Sequence, residues 1–167
     1  RRYRDETRKE VFSMAADAYL RLGDGYFITK DYEMSIEYYD KAVSLLPDSL
    51  TKEGYALSDV DYAQFQKGLA KGVLGDTKAK LDILQALLAN HEESSYTDDA
   101  KFEMAESYSI LENPDSAVHW YKDIASQHPN SSYVKKSLLN MGLEQYNRSQ
   151  NEEALATFKE VIATYPA

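Results

Sequence analysis

The chain has 167 residues, of which 43% are hydrophobic and 28% charged, and its formal net charge is −9 at pH 7. An acidic protein repels a phosphate backbone, so we expect no nucleic-acid ligand. The absence of cysteine excludes disulfides, thiolate catalysis and zinc–thiolate sites. No apolar run reaches the length of a membrane-spanning helix, and we expect no membrane span in this segment.

The chain opens with a basic run, since Arg1, Arg2, Arg4, Arg8 and Lys9 stand among its first ten residues. A run of this kind is more often the solvated face of a helix than a binding patch. We therefore assign it no ligand.

A helical phrase then recurs along the chain: a small residue, an aromatic residue four positions later, a small or branched residue after three more, and a proline. It occurs as Ser35, Tyr39, Ala42 and Pro47; as Ala117, Tyr121, Ile124 and Pro129; and as Ala154, Phe158, Val161 and Pro166. An internal repeat of this length predicts a stacked array in which each unit covers a face of the next.

The period of the repeat is 37, because residues 61–96 align without gaps on 98–133 and the next shift pairs Met104 with Met141. Pro47 and Pro129 lie 82 residues apart, eight more than two periods, which predicts an insertion at 48–60. We expect one repeat domain over 1–167, and a chain cut from a longer repeat protein. Its predicted repeats, one to four, span about 10–47, 61–92, 98–129 and 135–166.

Each repeat is predicted to be two antiparallel amphipathic helices joined by a short turn. The turns are marked by Asp31, Asp76, the cap and helix start Asn113-Pro114-Asp115, and a capping box of Ser149 and Glu152. Small residues recur where the two helices should cross, with aromatic residues on the partner helix to fill the space. These small residues are Gly23, Gly68, Ala105 and Gly142.

The pattern resembles the tetratricopeptide repeat, an all-α family whose helix pairs stack into a right-handed superhelical solenoid. The signature is fullest in repeat one, at Tyr19, Leu22-Gly23, Tyr26, Ser35, Tyr39, Ala42 and Pro47. The junction Pro129–Tyr133 resembles the bacterial envelope variety, found in Tol-Pal-associated proteins and outer-membrane assembly lipoproteins, which suggests a periplasmic or envelope location. Repeat two departs from the family at Lys80 and Glu92, and repeats two and three carry Phe65 and Phe102 one place late.

The resemblance implies that a peptide or helix of a partner protein binds in the concave groove lined by the first helices. The matching positions are Asp17, Leu20, Asp24, Phe27, Tyr62, Phe65, Leu69, Asp99, Phe102, Glu106, Lys136, Leu139, Leu143 and Tyr146. This lining is acidic in repeats one and three, so a basic or amphipathic segment would suit it. The alternative is that the aromatic residues are core and the acids merely solvated. Some family members hold the C-terminal carboxylates of chaperone peptides in a clamp of Lys and Asn side chains on this face. Leu20 and Asp24 stand where that clamp would begin, so this function is disfavoured.

No enzymatic site is predicted. His91 and His128 recur at one repeat position near a helix C-terminus, where an imidazole can bond the terminal carbonyls, and His119 has no helix-spaced second ligand. Without a phosphate loop, nucleophile elbow or metal motif we expect no catalytic residue, metal or cofactor. The sequence predicts a protein-interaction scaffold, with a structural spacer in a larger envelope protein as the alternative.

The last predicted helix ends in an apolar face that includes Val161 and Ile162. A repeat array needs polar terminal caps, and an uncovered apolar face tends to find a partner. We therefore expect a further helix in the native protein and end-to-end self-association of this segment.

Overall fold

The computed structural model describes residues 2–46, 57–91 and 94–165, and within these ranges it describes side chains from Glu10 onward except those of residues 57 and 58. Within these ranges the chain is all-α, with helices α1 (Arg2–Ile28), α2 (Tyr32–Ser44), α3 (Leu57–Val73), α4 (Thr77–Asn90), α5 (Thr97–Ile110), α6 (Pro114–Gln127), α7 (Val134–Asn147) and α8 (Asn151–Thr164). Residues 48–56 of the predicted insertion lie outside the described residues, and its last residues, 57–60, form the start of α3. The side chains of the basic run, Glu92 and Pro166 also lie outside them.

The helices form two compact units, an N-terminal unit that ends at Tyr96 and a C-terminal unit that begins at Thr97. Each unit holds two consecutive helix pairs: α1–α2 and α3–α4 in the first, α5–α6 and α7–α8 in the second. Within each unit the second helix of one pair packs on the first helix of the next, α2 on α3 and α6 on α7. No described helix is long and apolar enough to span a membrane.

The turn between the two helices of a pair has the same geometry in all four pairs. One residue adopts a positive φ, and the amide of the next residue bonds to a carbonyl five residues back, which ends the first helix. The positive-φ residues are Lys30 (66°), Gly75 (84°), Glu112 (55°) and Ser149 (60°). The corresponding amide bonds run from Asp31 to Tyr26, Asp76 to Lys71, Asn113 to Tyr108 and Gln150 to Gln145.

The residue after the positive-φ position is the N-cap of the second helix, which begins one residue later. The predicted caps Asp31, Asp76 and Asn113 are confirmed, since each side chain accepts a hydrogen bond from the backbone N–H three residues on. The predicted capping box of Ser149 and Glu152 is wrong. Ser149 occupies the positive-φ position, and the N-cap is Gln150, whose side chain makes no capping bond. The 37-residue period already pairs Gln150 with Asn113, so the repeat was the better guide.

Gln150 is therefore a poor cap that a shorter side chain should improve. Gln150→Asn should raise the free energy of unfolding by about 0.5–1 kcal/mol, because Asn can accept a bond from an exposed helix N–H that Gln150 leaves unpaired. Asn113→Ala, at the equivalent position of the preceding pair, should lower it by about 1 kcal/mol. Urea denaturation measures both. An unchanged midpoint for both variants would show that these caps do not stabilise the helices.

At Gly23 and Gly142 the two helices of a pair meet where a small residue faces an aromatic ring, as predicted. In the α3–α4 pair the predicted small residue Gly68 faces Leu84 instead, and a Cβ added to it would lie 3.1 Å from Cδ2 of Leu84. A Cβ atom added to Gly23 would lie 2.5 Å from Cε1 of Tyr39, and one added to Gly142 would lie 2.5 Å from Cε1 of Phe158. Contacts this short do not occur between real atoms, so only glycine admits these rings. In α5 the small residue is Ala105, which is fully buried in the same core cluster as Tyr121.

Lys80 replaces the small residue at the start of the second helix in repeat two. Its side chain is only 8% exposed, and a Cβ added to Gly72 would lie 2.8 Å from its Cδ. Gly72 thus makes the room in which the aliphatic stem of Lys80 packs. The departure from the family pattern is accommodated by a change on the facing helix.

The junctions after α4 and α6 share a second local structure. Tyr96 stacks on Phe65 with ring centroids 5.3 Å apart, and Tyr133 stacks on Phe102 at 4.6 Å. The Ser131 hydroxyl donates to Asp98 at 2.5 Å and accepts from the Tyr133 amide. The recurring Ser-Ser-Tyr sequence therefore folds the junction back onto the preceding first helix.

His91 and His128 are confirmed as the C-cap residues of α4 and α6, but the bonds to the helix carbonyls come from their backbone N–H groups and not, as predicted, from the imidazoles. Their imidazoles contact side chains of the first helix in their own pair. His91 Nδ1 lies 3.0 Å from Asp61 Oδ1, and His128 Nε2 lies 2.9 Å from Lys101 Nζ. Each histidine thus ties the end of a second helix to the start of the first, a structural role.

Candidate protein-binding surface

The fourteen residues predicted to line the groove differ widely in exposure. Leu20, Phe65 and Phe102 are buried, at 4%, 9% and 1% exposure. Asp17, Lys136, Leu139, Leu143 and Tyr146 are exposed, and Asp24, Phe27, Tyr62, Leu69, Asp99 and Glu106 are half-buried. The buried aromatics serve the core, so they offer a ligand little surface. Four of these five exposed residues lie on α7, and Asp17 lies on α1.

In the N-terminal unit the structure brings Asp24 and Tyr62 together. The Asp24 carboxylate accepts hydrogen bonds from the hydroxyls of Tyr62 at 2.6 Å and Tyr39 at 2.9 Å, and Gln66 donates to the Tyr62 oxygen. Arg21 lies near both Asp24 and the exposed Asp17. Asp24 therefore links three helices of the unit, a role that its place in the sequence did not reveal.

The tyrosine hydroxyls that bond to Asp24 and Asp99 have raised pKa values. Burial, reinforced by the bond to Asp24, raises the pKa of Tyr62 to about 12 and raises that of Tyr39 further. Burial and the bond to Asp99 likewise raise the pKa of Tyr133 to about 12. The pKa of each of these tyrosines is higher in the folded than in the unfolded chain, so the protonated hydroxyls stabilise the folded state. This contribution is fully present below pH 10 and is lost as the pH rises from 10 towards 12. None of these tyrosines is available as a base near neutral pH.

The predicted acidic lining of the C-terminal unit is partly compensated. Lys136 Nζ lies 3.0 Å from Glu106 and 4.4 Å from the centroid of the Phe102 ring, and Asp99 accepts a bond of 2.8 Å from the Tyr133 hydroxyl. The first helices α5 and α7 thus bring together four of the predicted residues. The charge that remains on this face is smaller than a count of its acids indicates.

A pocket of about 470 Å³ opens between α5 and α7 beside these residues. Sequence reasoning found only two of the residues that line it, Glu106 and Leu143. It missed Ser109, Ile110, Tyr121, Asn140, Glu144 and Asn147. Helical spacing could have found four of these six, because Asn140 and Asn147 each lie four residues beyond a predicted residue of α7. Ser109 and Ile110 likewise lie three and four residues beyond Glu106.

Two hydrogen bonds set the polar wall of this pocket. Asn140 Nδ2 donates to the Tyr121 hydroxyl at 3.3 Å, and the Ser109 hydroxyl donates to Glu144 at 2.6 Å. The apolar rim consists of exposed side chains on the same face: Ile110 (68%), Leu139 (43%), Leu143 (46%) and Tyr146 (62%). We call the pocket and this rim together the first-helix surface.

No described group of three or more His, Asp or Glu side chains could hold a metal ion. His119 is exposed and packs edge-on against Trp120.

Two family models match the chain, both described as tetratricopeptide repeat, over residues 16–49 and 136–167. These segments cover the second half of α1 with all of α2, and most of α7 with all of α8, the first and last of the described helix pairs. The fold is that of the tetratricopeptide repeat. The predicted all-α array of such helix pairs is therefore confirmed.

Several solved structures are similar to this chain along most of its length. The structure of MamA has a TM-score of 0.71 at 21% identity, covering 93% of this chain and 83% of its own. That of YrrB, described as a tetratricopeptide protein with an unusual peptide-binding site, has a TM-score of 0.67 at 19% identity, with coverage of 92% and 71%. The apo form of RapI has a TM-score of 0.75 at 14% identity, with coverage of 90% and 55%. No curated protein shows significant similarity to the sequence.

These identities are low enough that the similarity concerns the fold. The shared fold agrees with the tetratricopeptide spacing of the small and aromatic residues at the helix crossings. The contacts of the first-helix surface are described for this chain alone, and the similarity in fold does not extend to them.

Proposed function

We propose that the chain is a non-enzymatic scaffold that binds a peptide or helix of a partner protein on the first-helix surface. The observation that carries the proposal is the row of exposed apolar side chains Leu139, Leu143 and Tyr146 on α7, beside the pocket. Their spacing of four and three residues places them on one side of the helix. An exposed apolar row next to a concavity is typical of a protein-binding site.

The charge of the surface indicates what kind of partner would bind. Glu144 is bonded to a neutral hydroxyl and keeps its negative charge, whereas Glu106 is paired with Lys136. Asn140 and Asn147 add amide groups that can bond a peptide backbone. An amphipathic segment with apolar anchors and a basic residue opposite Glu144 fits this arrangement.

Similar proteins support binding of this kind. The tetratricopeptide protein YrrB is described as having a peptide-binding site. The proposal for the present chain rests on its own exposed residues, and the similarity adds that this fold can serve the purpose.

Replacing Leu143 by aspartate tests the proposal. Peptides selected from a random display library against the parent chain should bind Leu143→Asp at least about tenfold more weakly, because a central apolar anchor is worth more than 1 kcal/mol. The control is Leu155→Asp on α8, a second helix, where the leucine is 56% exposed against 46% for Leu143. The control should change affinity less than about twofold. If Leu155→Asp weakens binding more, the functional face is misassigned.

A structural spacer is the second candidate. It is favoured by the fact that Asp24 and Asp99 are each bonded to side chains of their own unit. Both carboxylates are satisfied by tyrosine hydroxyls within their own unit, as expected of residues that maintain geometry. A spacer has no preferred ligand. A selection that yields no peptide sensitive to Leu143→Asp would therefore support the spacer over the scaffold.

The envelope location and end-to-end association stay predictions. The contacts of Ser131 and Tyr133 give the junction motif a structural reason that is independent of subfamily. Association rests on α8, where Ile162 is 71% exposed and Leu155 56%, while Val161 packs against the core.

A further inference from the structure

A stripe of apolar and small residues lies exposed along α1. Val11 is 58% exposed, Met14 73% and Leu22 45%, and Ala18 and Gly25 are exposed as well. These five residues follow one another at spacings of three or four, so they lie on one side of the helix. Ala18 and Gly25 are small enough to let another helix approach closely. We call these residues the α1 stripe.

The repeat shows what covers the same positions in the last helix pair. Gly23 and Gly142 each face an aromatic ring of the second helix, and they lie 119 residues apart. By this shift the equivalents on α7 of Ala18 and Leu22 are Ser137 and Met141. These two side chains are 0% and 8% exposed, and Met141 belongs to the core cluster that α7 forms with α6. On α7 the corresponding stripe is therefore covered by the preceding second helix.

The helix α3 shows the same relation within the N-terminal unit. Gly68 lies 45 residues after Gly23, and by this shift Ala63 is the equivalent of Ala18. Ala63 is 1% exposed and shares a core cluster with Tyr39 and Ala42 of α2. Both α3 and α7 thus receive a preceding second helix on the positions that α1 exposes.

The matching side of a second helix is exposed on α8. One period of 37 residues relates α6 to α8, so that Val118 corresponds to Leu155 and Ala125 to Ile162. Val118 and Ala125 are partly buried against the core cluster, whereas Leu155 is 56% exposed and Ile162 71%. Because α6 and α8 both pack on the first helix of their own pair, the difference in exposure comes from α7, which packs on α6. The exposed side of α8 is therefore the side that contacts a following first helix.

We propose that the α1 stripe binds α8 of a second copy of this chain, in the manner in which α7 receives α6. Leu155 and Ile162 of one copy pack on Met14, Ala18 and Leu22 of the next. This contact repeats between copies the one that α2 makes with α3, and it gives the expected end-to-end association a defined surface at both ends. Because the two surfaces differ, each copy can bind one neighbour through α8 and another through α1. No residue of the first-helix surface belongs to α1 or α8, so a partner peptide and a second copy bind at separate places.

Complementation between two variants tests the proposal by analytical ultracentrifugation of the full chain. The weight-average mass of the parent should rise with concentration above that of one copy. Leu22→Asp alters only the α1 stripe and Ile162→Asp only α8, and each should weaken self-association at least about tenfold, because each places a charge in an apolar contact. An equimolar mixture restores one intact contact, between α8 of the first variant and α1 of the second. The mixture should therefore form dimers that do not grow further.

Three results would overturn the proposal: a parent chain that stays monomeric up to millimolar concentration, a loss of association in only one of the two variants, or a mixture that forms no dimers. The last result would mean that copies meet through two identical faces. Helical circular dichroism verifies that the variants fold. Met14→Asp, at a position that is 73% exposed, takes the place of Leu22→Asp if that variant unfolds.

Leu139→Asp is the matched control on the first-helix surface, since Leu139 is 43% exposed against 45% for Leu22. It should change self-association less than about twofold, and Leu22→Asp should change the affinity of a library-selected peptide equally little. The two contacts are thus tested separately. If Leu139→Asp weakens self-association as strongly as Leu22→Asp does, copies meet through the first-helix surface and the α1 stripe is not the docking site.

Discussion

Replacing Tyr39 by alanine should lower the free energy of unfolding by about 3–5 kcal/mol. The side chain is fully buried, its ring fills the space over Gly23, and its hydroxyl donates to Asp24. The substitution leaves a cavity at the crossing of α1 and α2 and removes one of the two tyrosine hydroxyls bound to Asp24. Chemical denaturation followed by helical circular dichroism measures the change.

Tyr39→Phe separates the two contributions. Phenylalanine keeps the ring over Gly23 and loses only the bond to Asp24, so this variant should lose about 1 kcal/mol. If Tyr39→Ala unfolds at the same denaturant concentration as the parent chain, the helix crossing has been assigned to the wrong residues.

Gly142→Leu should lower the free energy of unfolding by about 1–3 kcal/mol through overpacking. The Phe158 ring occupies the space that any side chain at this position requires. The α7–α8 pair must separate or the ring must change rotamer, and both cost packing. The same denaturation experiment gives the value.

Gly25→Leu is the matched control for this substitution. Gly25 lies inside α1, and apart from its chain neighbours and the backbone of its own helix no atom of the described residues lies within 4 Å of the place where its Cβ would stand. Leucine is the better helix former there, so stability should stay the same or rise by up to about 1 kcal/mol. A loss from Gly25→Leu as large as that from Gly142→Leu would mean that the facing ring is not the cause.

The repeated features of the fold could be predicted from the sequence, because they depend on local spacing. Gly23, Gly142 and their aromatic partners follow from the small and aromatic periodicity, and the caps Asp31 and Asn113 follow from helix-start chemistry. Ser149 misled that reasoning. A serine followed by glutamate three residues later has the capping pattern, but the turn geometry assigns that position a positive φ.

The binding surface was harder to predict because it depends on contacts between neighbouring pairs. Position on the first helix did not distinguish Phe102, buried under Tyr133, from Leu143, which is exposed. Asp24 was predicted as a groove acid, but its place between two tyrosines becomes visible only when α1, α2 and α3 are assembled. Which first-helix residues remain exposed, and can therefore bind a partner, is decided by how neighbouring helix pairs pack.

The most direct test of the account is to map a library-selected peptide on the chain by amide chemical shifts. The largest shifts should fall on α5 and α7, at Ile110, Leu139, Leu143 and Tyr146. Residues on the second helices, such as Trp120 and Ile162, should change little. Shifts concentrated on α6 and α8 would contradict the first-helix surface as the site at which this scaffold binds its partner.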